Sequence, residues 1–286
     1  MNEITILDGI KVSNEIKEDL RRDIKKLPRK PRMSIIMVGD DQASQAYVNA
    51  KVRSCKEVGI DCQLILMPEE TRQIDLLNQI SSLNDDSKVD GYIVQLPLPQ
   101  HIDKDKVIDK ISPEKDIDGF HHTNIGRMTL NLPTILPATP FGIMSLIRHY
   151  NIELEGKNCV VIGRSDIVGL PISIMMGHDD QCTVTSCHVN TNNLKDFTKM
   201  ADILIVSVGI PNFVTEDMVK EDSVVIDVGI NRDEEGTLIG DVDFDNVSKK
   251  TSYITPVPGG VGPMTIVSLM RNLVYATKNN VENGYY

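Results

Sequence analysis

Four short strand-like runs, separated by polar segments compatible with helix, constrain this chain more than any other feature. They are Cys159-Val160-Val161-Ile162, Thr183-Val184-Thr185-Ser186, Ile203-Leu204-Ile205-Val206-Ser207 and Val224-Val225-Ile226-Asp227-Val228-Gly229. Strands that alternate with helices build βαβ units and a parallel sheet. Near-continuous Val and Ile suit strands covered on both faces. The expected class is therefore α/β. The first run stops at Gly163, and Gly163-Arg164-Ser165-Asp166-Ile167-Val168-Gly169-Leu170-Pro171 leads into a segment that can be helical. In such a turn backbone can approach an anion, and the free N–H groups of the helix start favour negative charge. The dinucleotide fingerprint G-x-G-x-x-G is met only loosely, because Ser165 replaces its second glycine and Gly169 comes one residue late. Taken alone, the turn also fits an ordinary strand-to-helix connection.

The residues after the second run narrow the ligand. An NAD-binding unit usually carries an acid about 20 residues beyond the glycines, where it meets the ribose. Here Cys187-His188-Val189-Asn190-Thr191 offers none, while Arg164 lies in the turn itself. An arginine present and an acid absent point to a 2′-phosphate, hence NADP.

The first hundred residues alternate in the same way. Apolar residues at Ile10, Val12, Ile16, Leu20 and Ile24 give a helix over 10–26. Strands are expected over 33–38, 62–67 and 91–96, and helices over 44–58, with Ser44 as N-cap, and around 74–83. A short helix over 103–111 follows, and then an irregular stretch over 121–139. A helix over 141–150 should start from Thr139 as cap, with Pro140 at its first position. The glycine- and proline-rich segment 256–265 is expected to admit neither helix nor strand, and a helix is expected over 266–277. At 286 residues the chain is long enough for two domains.

Composition excludes several roles. There are 41 acidic against 30 basic residues, a formal charge of −11, which disfavours nucleic acid and anionic membranes as partners. No run of 18 apolar residues and no secretory leader pattern is present, so neither a membrane span nor export is expected. The five cysteines are odd in number and lack C-x-x-C spacing, which fits reduced thiols in the cytoplasm and no metal site. There is no P-loop, H-E-x-x-H or G-x-S-x-G motif.

Several side chains stand out as candidates for chemistry. Tyr47 and Lys51 are four residues apart on a predicted helix and so share a face. An aromatic ring beside an ammonium suits a flat substrate and a proton transfer. Gln95 closes a strand at the carboxyl end, where parallel sheets bind ligands, and its amide both donates and accepts. Asp118, in the polar segment Lys115-Asp116-Ile117-Asp118-Gly119-Phe120, can accept two N–H bonds from a planar amidine-like edge. Each has a plainer reading, respectively a solvated lysine, a loop-capping amide and an Asx-turn aspartate.

Six motifs in order carry a resemblance that covers nearly the whole chain. They are Tyr47-Val48-Asn49-Ala50-Lys51, Val94-Gln95-Leu96-Pro97-Leu98-Pro99, the 115–120 segment, the 163–171 turn, Asp227-Val228-Gly229-Ile230-Asn231 and Pro258-Gly259-Gly260-Val261-Gly262-Pro263-Met264-Thr265. The chain resembles the bifunctional methylenetetrahydrofolate dehydrogenase/cyclohydrolase family of one-carbon metabolism. The resemblance implies two α/β domains flanking a cleft. One, over 1–139 with a C-terminal helix 266–286 packed back on it, would bind folate and carry the chemistry. The other, over 140–265, would be a Rossmann-like domain for NADP. It implies Lys51, Gln95, Tyr47 and Asp118 as catalytic residues. Those four would contact substrate together with Val94, Leu96, Pro258, Gly259, Gly260, Val261 and Gly262. Gly163, Arg164, Ser165, Ile167, Val168, His188, Val189, Thr191, Gly209 and Ile230 would line the cofactor. It further implies a cytoplasmic homodimer acting on tetrahydrofolate derivatives, with 10-formyltetrahydrofolate, a precursor for purine biosynthesis, as product. The alternatives are a dehydrogenase alone, or a folate- or dinucleotide-binding protein without catalysis. Two positions depart from the family pattern. Val189 stands where a serine usually helps to hold the 2′-phosphate, and Ala138 stands where a cysteine is frequent.

Overall fold

The computed structural model describes residues 4–178 and 182–282. They divide into two compact units: Glu15–Ala138 with the chain from Ile266 onward, and the chain up to Asn14 with Thr139–Thr265. In chain order the first half contains β1 (Thr5–Ile6), α1 (Gly9–Ile24), β2 (Arg32–Val38), α2 (Gln42–Val58), β3 (Asp61–Met67), α3 (Gln73–Asp85), β4 (Gly91–Val94), α4 (Lys104–Lys110) and α5 (His122–Thr129). The first unit is built on a parallel sheet ordered β3-β2-β4. Six of the seven residues of β2 are buried, as a central strand requires. One face is covered by a cluster that includes Leu20, Ile35, Val48, Ile93 and Ile117, the other by one that includes Ile36, Leu76, Ile80 and Tyr92.

Helix α2 carries both Tyr47 and Lys51, so its ends fix where those side chains stand. Its N-cap is Asp41, whose carboxylate accepts the Ser44 N–H at 2.7 Å. Ser44, the expected cap, is therefore a donor inside the first turn; the stronger acceptor three residues earlier takes the role. The helix stops at Gly59 in the left-handed region (φ 90°), with the Gly59 N–H turned back to the Cys55 and Lys56 carbonyls.

The second half contains α6 (Ala138–His149), β5 (Asn158–Ile162), α7 (Gly169–His178), β6 (Thr183–Cys187), α8 (Leu194–Thr198), β7 (Ile203–Val206), β8 (Val224–Asp227), β9 (Asn231–Arg232), β10 (Leu238–Ile239), α9 (Phe244–Val247), β11 (Tyr253–Ile254) and α10 (Val261–Glu282). The second unit holds a six-stranded sheet, β1-β11-β8-β7-β5-β6, with all neighbours parallel. The β9–β10 pair is a separate antiparallel ribbon. Val160, Ile162, Leu204, Val206, Val225 and Ile254 are among its core residues.

Four further expectations need correction. The first 14 residues fall in the second unit rather than with 15–139, because Thr5 and Ile6 pair with Tyr253 and Ile254 at the edge of the large sheet. A two-residue strand has too little periodicity to be visible beforehand. Residues 122–129, expected to be irregular, form α5, whose start is capped by the His121 ring accepting the Thr123 N–H at 3.1 Å. Helix α6 begins at Ala138, so Thr139 is no cap; its hydroxyl meets that of Thr265 at 3.0 Å. Finally, α10 begins at Val261 inside the glycine-proline segment. Pro263 is its third residue, where a helix N–H has no intrahelical partner to lose.

The last helix supplies apolar residues to the first unit, with Leu269, Met270, Leu273 and Val274 in the cluster around Ile35 and Ile117. Its Asn272 amide donates to the carbonyls of Ile117 and Leu136, both at 2.8 Å. Helix α10 thereby holds both ends of the segment that carries Asp118.

Candidate functional site

In the first unit the centre lies at the carboxyl ends of the strands. The chain runs from β2 through α2 to β3 on one side, while β4 flanks β2 on the other. That reversal of direction leaves a crevice above β2, the position where open α/β sheets bind ligands. Helix α2 brings Lys51 to this region, and Gln95 follows directly after β4. The Lys51 Nζ donates to Gln95 Oε1 at 2.9 Å and stands 5.6 Å from the centre of the Tyr47 ring. Gln95 Nε2 is committed in turn to the Leu96 carbonyl at 2.6 Å, so its amide is fixed in orientation. Lys51 is only 6% exposed. Burial holds its pKa below the usual lysine value, against the opposing pull of Asp118. Burial also raises the Tyr47 phenol.

Asp118 is placed by a tight loop. Gly91, the first residue of β4, makes room for it, since a Cβ there would sit 2.3 Å from the Ile117 side chain. Asp116, almost fully buried, accepts the N–H groups of Gly119 (3.1 Å) and His121 (2.7 Å) and the Asn124 amide (3.1 Å). Those bonds hold the turn around Asp118 in shape, and Gly119 completes it with φ 77°. Asp118, Asp116, Val94 and Leu96 line one narrow cleft beside β4 and α4. Desolvation lifts the Asp118 carboxyl to about 6, opposed by the Lys51 charge and reinforced by Asp116.

In the second unit the chain reverses direction at β5, which lies between β6 and β7. Gly163 follows β5 at this switch point. Its φ is 120°, and a Cβ would lie 2.1 Å from the Ser207 carbonyl oxygen; one on Gly169 would lie 2.1 Å from the Gly163 carbonyl oxygen. Both glycines are therefore required by close backbone approach. Ser165, which interrupts the fingerprint, has its own task. Its hydroxyl accepts the N–H groups of Val168 (3.2 Å) and Gly169 (3.3 Å) at the start of α7. Arg164 is exposed in the turn. His188 and Thr191 form a compact turn after β6, with the His188 N–H on the Thr191 hydroxyl at 2.9 Å. Val189 and Ile230 are 45% and 52% exposed. Glycine cradle, switch point, helix start and nearby arginine together fit a phosphorylated dinucleotide.

The sequence matches two parts of one family. Residues 7–118 match "Tetrahydrofolate dehydrogenase/cyclohydrolase, catalytic domain", and residues 137–281 match its "NAD(P)-binding domain". A "Bifunctional protein FolD" of Cytophaga hutchinsonii is 53% identical over 284 residues, spanning 95% of this chain and 98% of its own. The chain belongs to the tetrahydrofolate dehydrogenase/cyclohydrolase family. Among solved structures, the bifunctional FolD enzyme of Campylobacter jejuni superposes with a TM-score of 0.94 at 47% identity, covering 97% of this chain and 99% of that one. The Trypanosoma brucei enzyme, solved with NADP cofactor and inhibitor, gives 0.94 at 34% identity, with 98% and 99% covered.

Within this family member the structure brings Tyr47, Lys51, Val94, Gln95, Leu96 and Asp118 into the first unit, whereas residues 258–262 belong to the second. There Gly260 closes against α1, for a Cβ on Gly9 would lie 1.8 Å from its carbonyl oxygen. Three supporting acids do not announce themselves in the sequence. Asp116 is there only one more polar residue of the 115–120 motif. Asp241, fully buried, accepts the N–H groups of Val208 (2.7 Å) and Gly209 (2.9 Å) and the Asn231 amide (2.8 Å). Asp227 accepts from Gly229, Asp241 and Val242, and burial raises it to about 6. An aspartate at the end of a Val/Ile run, as in Val224-Val225-Ile226-Asp227, is the available signal.

Asp118 accepts two charge-assisted N–H bonds only when ionised, and its pKa near 6 makes that conditional. Affinity for a folate ligand, measured by calorimetry, is expected to fall as pH drops through this value. Asp118→Asn should bind weakly at every pH. A wild-type affinity that stays flat from one unit above to one unit below would remove the carboxylate from ligand binding.

Proposed function

We propose that this chain oxidises 5,10-methylenetetrahydrofolate to the 5,10-methenyl form and hydrolyses that to 10-formyltetrahydrofolate. NADP⁺ supplies the acceptor for the hydride. The observation that carries the second activity is the buried Lys51 amino group, oriented by Gln95 and electrostatically linked to Asp118. A dehydrogenase alone, or a binding protein without catalysis, would not need a lysine kept out of water at this cost.

The geometry supports the following roles. Tyr47 offers its ring face to the flat folate, and Asp118 accepts from the pterin edge. Val94 and Leu96 form apolar wall beside it. Removing a hydride from the methylene carbon needs orientation but no base. Hydrolysis does need proton transfer. Neutral Lys51 takes a proton from the incoming water as the C–O bond forms. The resulting ammonium returns it to the ring nitrogen as the C–N bond breaks, and the remaining hydroxyl proton leaves to solvent as the formyl carbonyl forms. The lowered pKa increases the neutral fraction available for the first step. Gly163, Ser165, Ile167, Val168, His188, Thr191, Gly209 and Ile230 would hold the dinucleotide, with Arg164 on the 2′-phosphate beside Val189.

The proposal includes a cytoplasmic homodimer whose product serves purine biosynthesis. All five thiols are unbridged, in keeping with a reducing compartment. Among the described residues no helix is long and apolar enough to cross a membrane. The dimer reading rests on β3, an edge strand whose Leu64 and Leu66 are 36% and 66% exposed. An exposed apolar edge of seven residues is normally covered.

Three outcomes are expected. Lys51→Met should lose cyclohydrolase activity by roughly 10²–10⁴-fold while keeping measurable dehydrogenase activity at saturating substrate. Both rates are to be read on one preparation with folate affinity as control, and equal losses would reduce Lys51 to a positioning role. Arg164→Ala should weaken NADP by roughly 10–100-fold, as loss of one charge-assisted contact implies, and NAD far less. Equal effects on the two dinucleotides would detach the arginine from the 2′-phosphate. Leu66→Lys should shift the mass found by sedimentation equilibrium from two chains towards one. An unchanged mass would place the interface elsewhere.

A further inference from the structure

The first unit has a second cavity, at the end of its sheet opposite Lys51 and Gln95. Its volume is about 780 Å³, within the range of small-molecule sites. It is lined at the amino ends of the three strands: Arg32 and Asp61 open β2 and β3, and Lys88 lies just before β4. Seven strand residues separate the two ends of β2, roughly 20 Å of extended chain. The cavity is thus separate from the folate site and independent of the chemistry proposed there.

Its lining is concentrated positive charge. Arg29, Lys30, Arg32, Lys56 and Lys88 converge there, in a chain whose formal charge is −11. Two carboxylates answer two of these groups. Arg29 makes a bidentate pair with buried Asp90 at 2.6 and 2.7 Å, and Arg32 Nε meets Asp61 at 2.9 Å. Among the described residues no carboxylate pairs with Lys30, Lys56 or Lys88, and all three are exposed. Lys56, in the last turn of α2, lies near helix carbonyls, which offset part of one charge. They do not offset the other two.

Like charges held around one cavity repel unless a counter-ion joins them. The planar guanidinium forks, which would match a carboxylate ligand, already face Asp90 and Asp61. What remains is three ammonium groups from three separate segments, which act as point charges on phosphate oxygens. We propose that this cavity is a binding site for a polyphosphate chain, with Lys30, Lys56 and Lys88 as its cationic contacts. Several linked negative charges can be shared among three lysines carried on three separate segments.

The test is calorimetry on the full chain with inorganic tripolyphosphate as probe, at low and at physiological salt. Wild type should bind, more weakly as salt rises. The triple variant Lys30→Gln/Lys56→Gln/Lys88→Gln should lose at least about tenfold in affinity, the change expected from roughly 1.4 kcal/mol. The single variant Lys88→Glu provides a second measurement with the same expected direction should the triple variant misfold. Saturating NADP fills the dinucleotide crevice and so distinguishes it from this cavity; tripolyphosphate should bind in its presence as in its absence. Absence of binding to wild type would overturn the proposal. So would undiminished binding by the lysine variants in the presence of NADP, or loss of binding when NADP is added.

Discussion

The burial of one ammonium group organises the first unit. Lys51 is buried, and a buried charge without partners is costly. Gln95 supplies the hydrogen bond and Asp118 the opposite charge. Neither partner can move freely. Gln95 is tied to the Leu96 carbonyl, and the Asp118 loop is held by Asp116 below and by the Asn272 amide from the last helix. The group is therefore preorganised before any ligand arrives, and its low-dielectric setting lowers the Lys51 pKa and raises that of Asp118.

The same arrangement recurs in the second unit with the signs exchanged. There the backbone is the binding surface, and buried carboxylates serve as scaffolding. Asp241 gathers the amides that follow β7, and Asp227 those of the β8 turn and of Asp241 itself. The Asp241 charge opposes ionisation of Asp227, and the N–H donors around Asp227 offset part of that cost. The result is a rigid frame for Gly209 and Gly229 around the crevice where Gly163 approaches Ser207.

Both units place their polar residues at the carboxyl ends of parallel strands, at a point where the chain reverses across the sheet. In the first unit the amino ends carry something else, an excess of cations in an acidic protein. The two ends of one three-stranded sheet thus present different chemistry to solvent, and the difference is written in residues just outside the strands.

Local patterning in the sequence was sufficient for the α/β class, most strand positions and the Gly163 turn, because short Val/Ile runs and glycine punctuation act through nearest neighbours. The family motifs also marked Tyr47, Lys51, Gln95 and Asp118, since spacing on a helix and position at a strand end are local facts. Tertiary structure decided the rest. Thr5 and Ile6 become a strand only through pairing with Tyr253 and Ile254, at the far end of the chain. Val261 to Thr265 become helical although they end a segment rich in glycine and proline, because the first turn tolerates proline. Ser165 turns out to cap α7, and Asp116 and Asp241 turn out to be buried scaffolds. A carboxylate's role depends on which amides surround it and on how much water is excluded, and neither quantity is local in sequence.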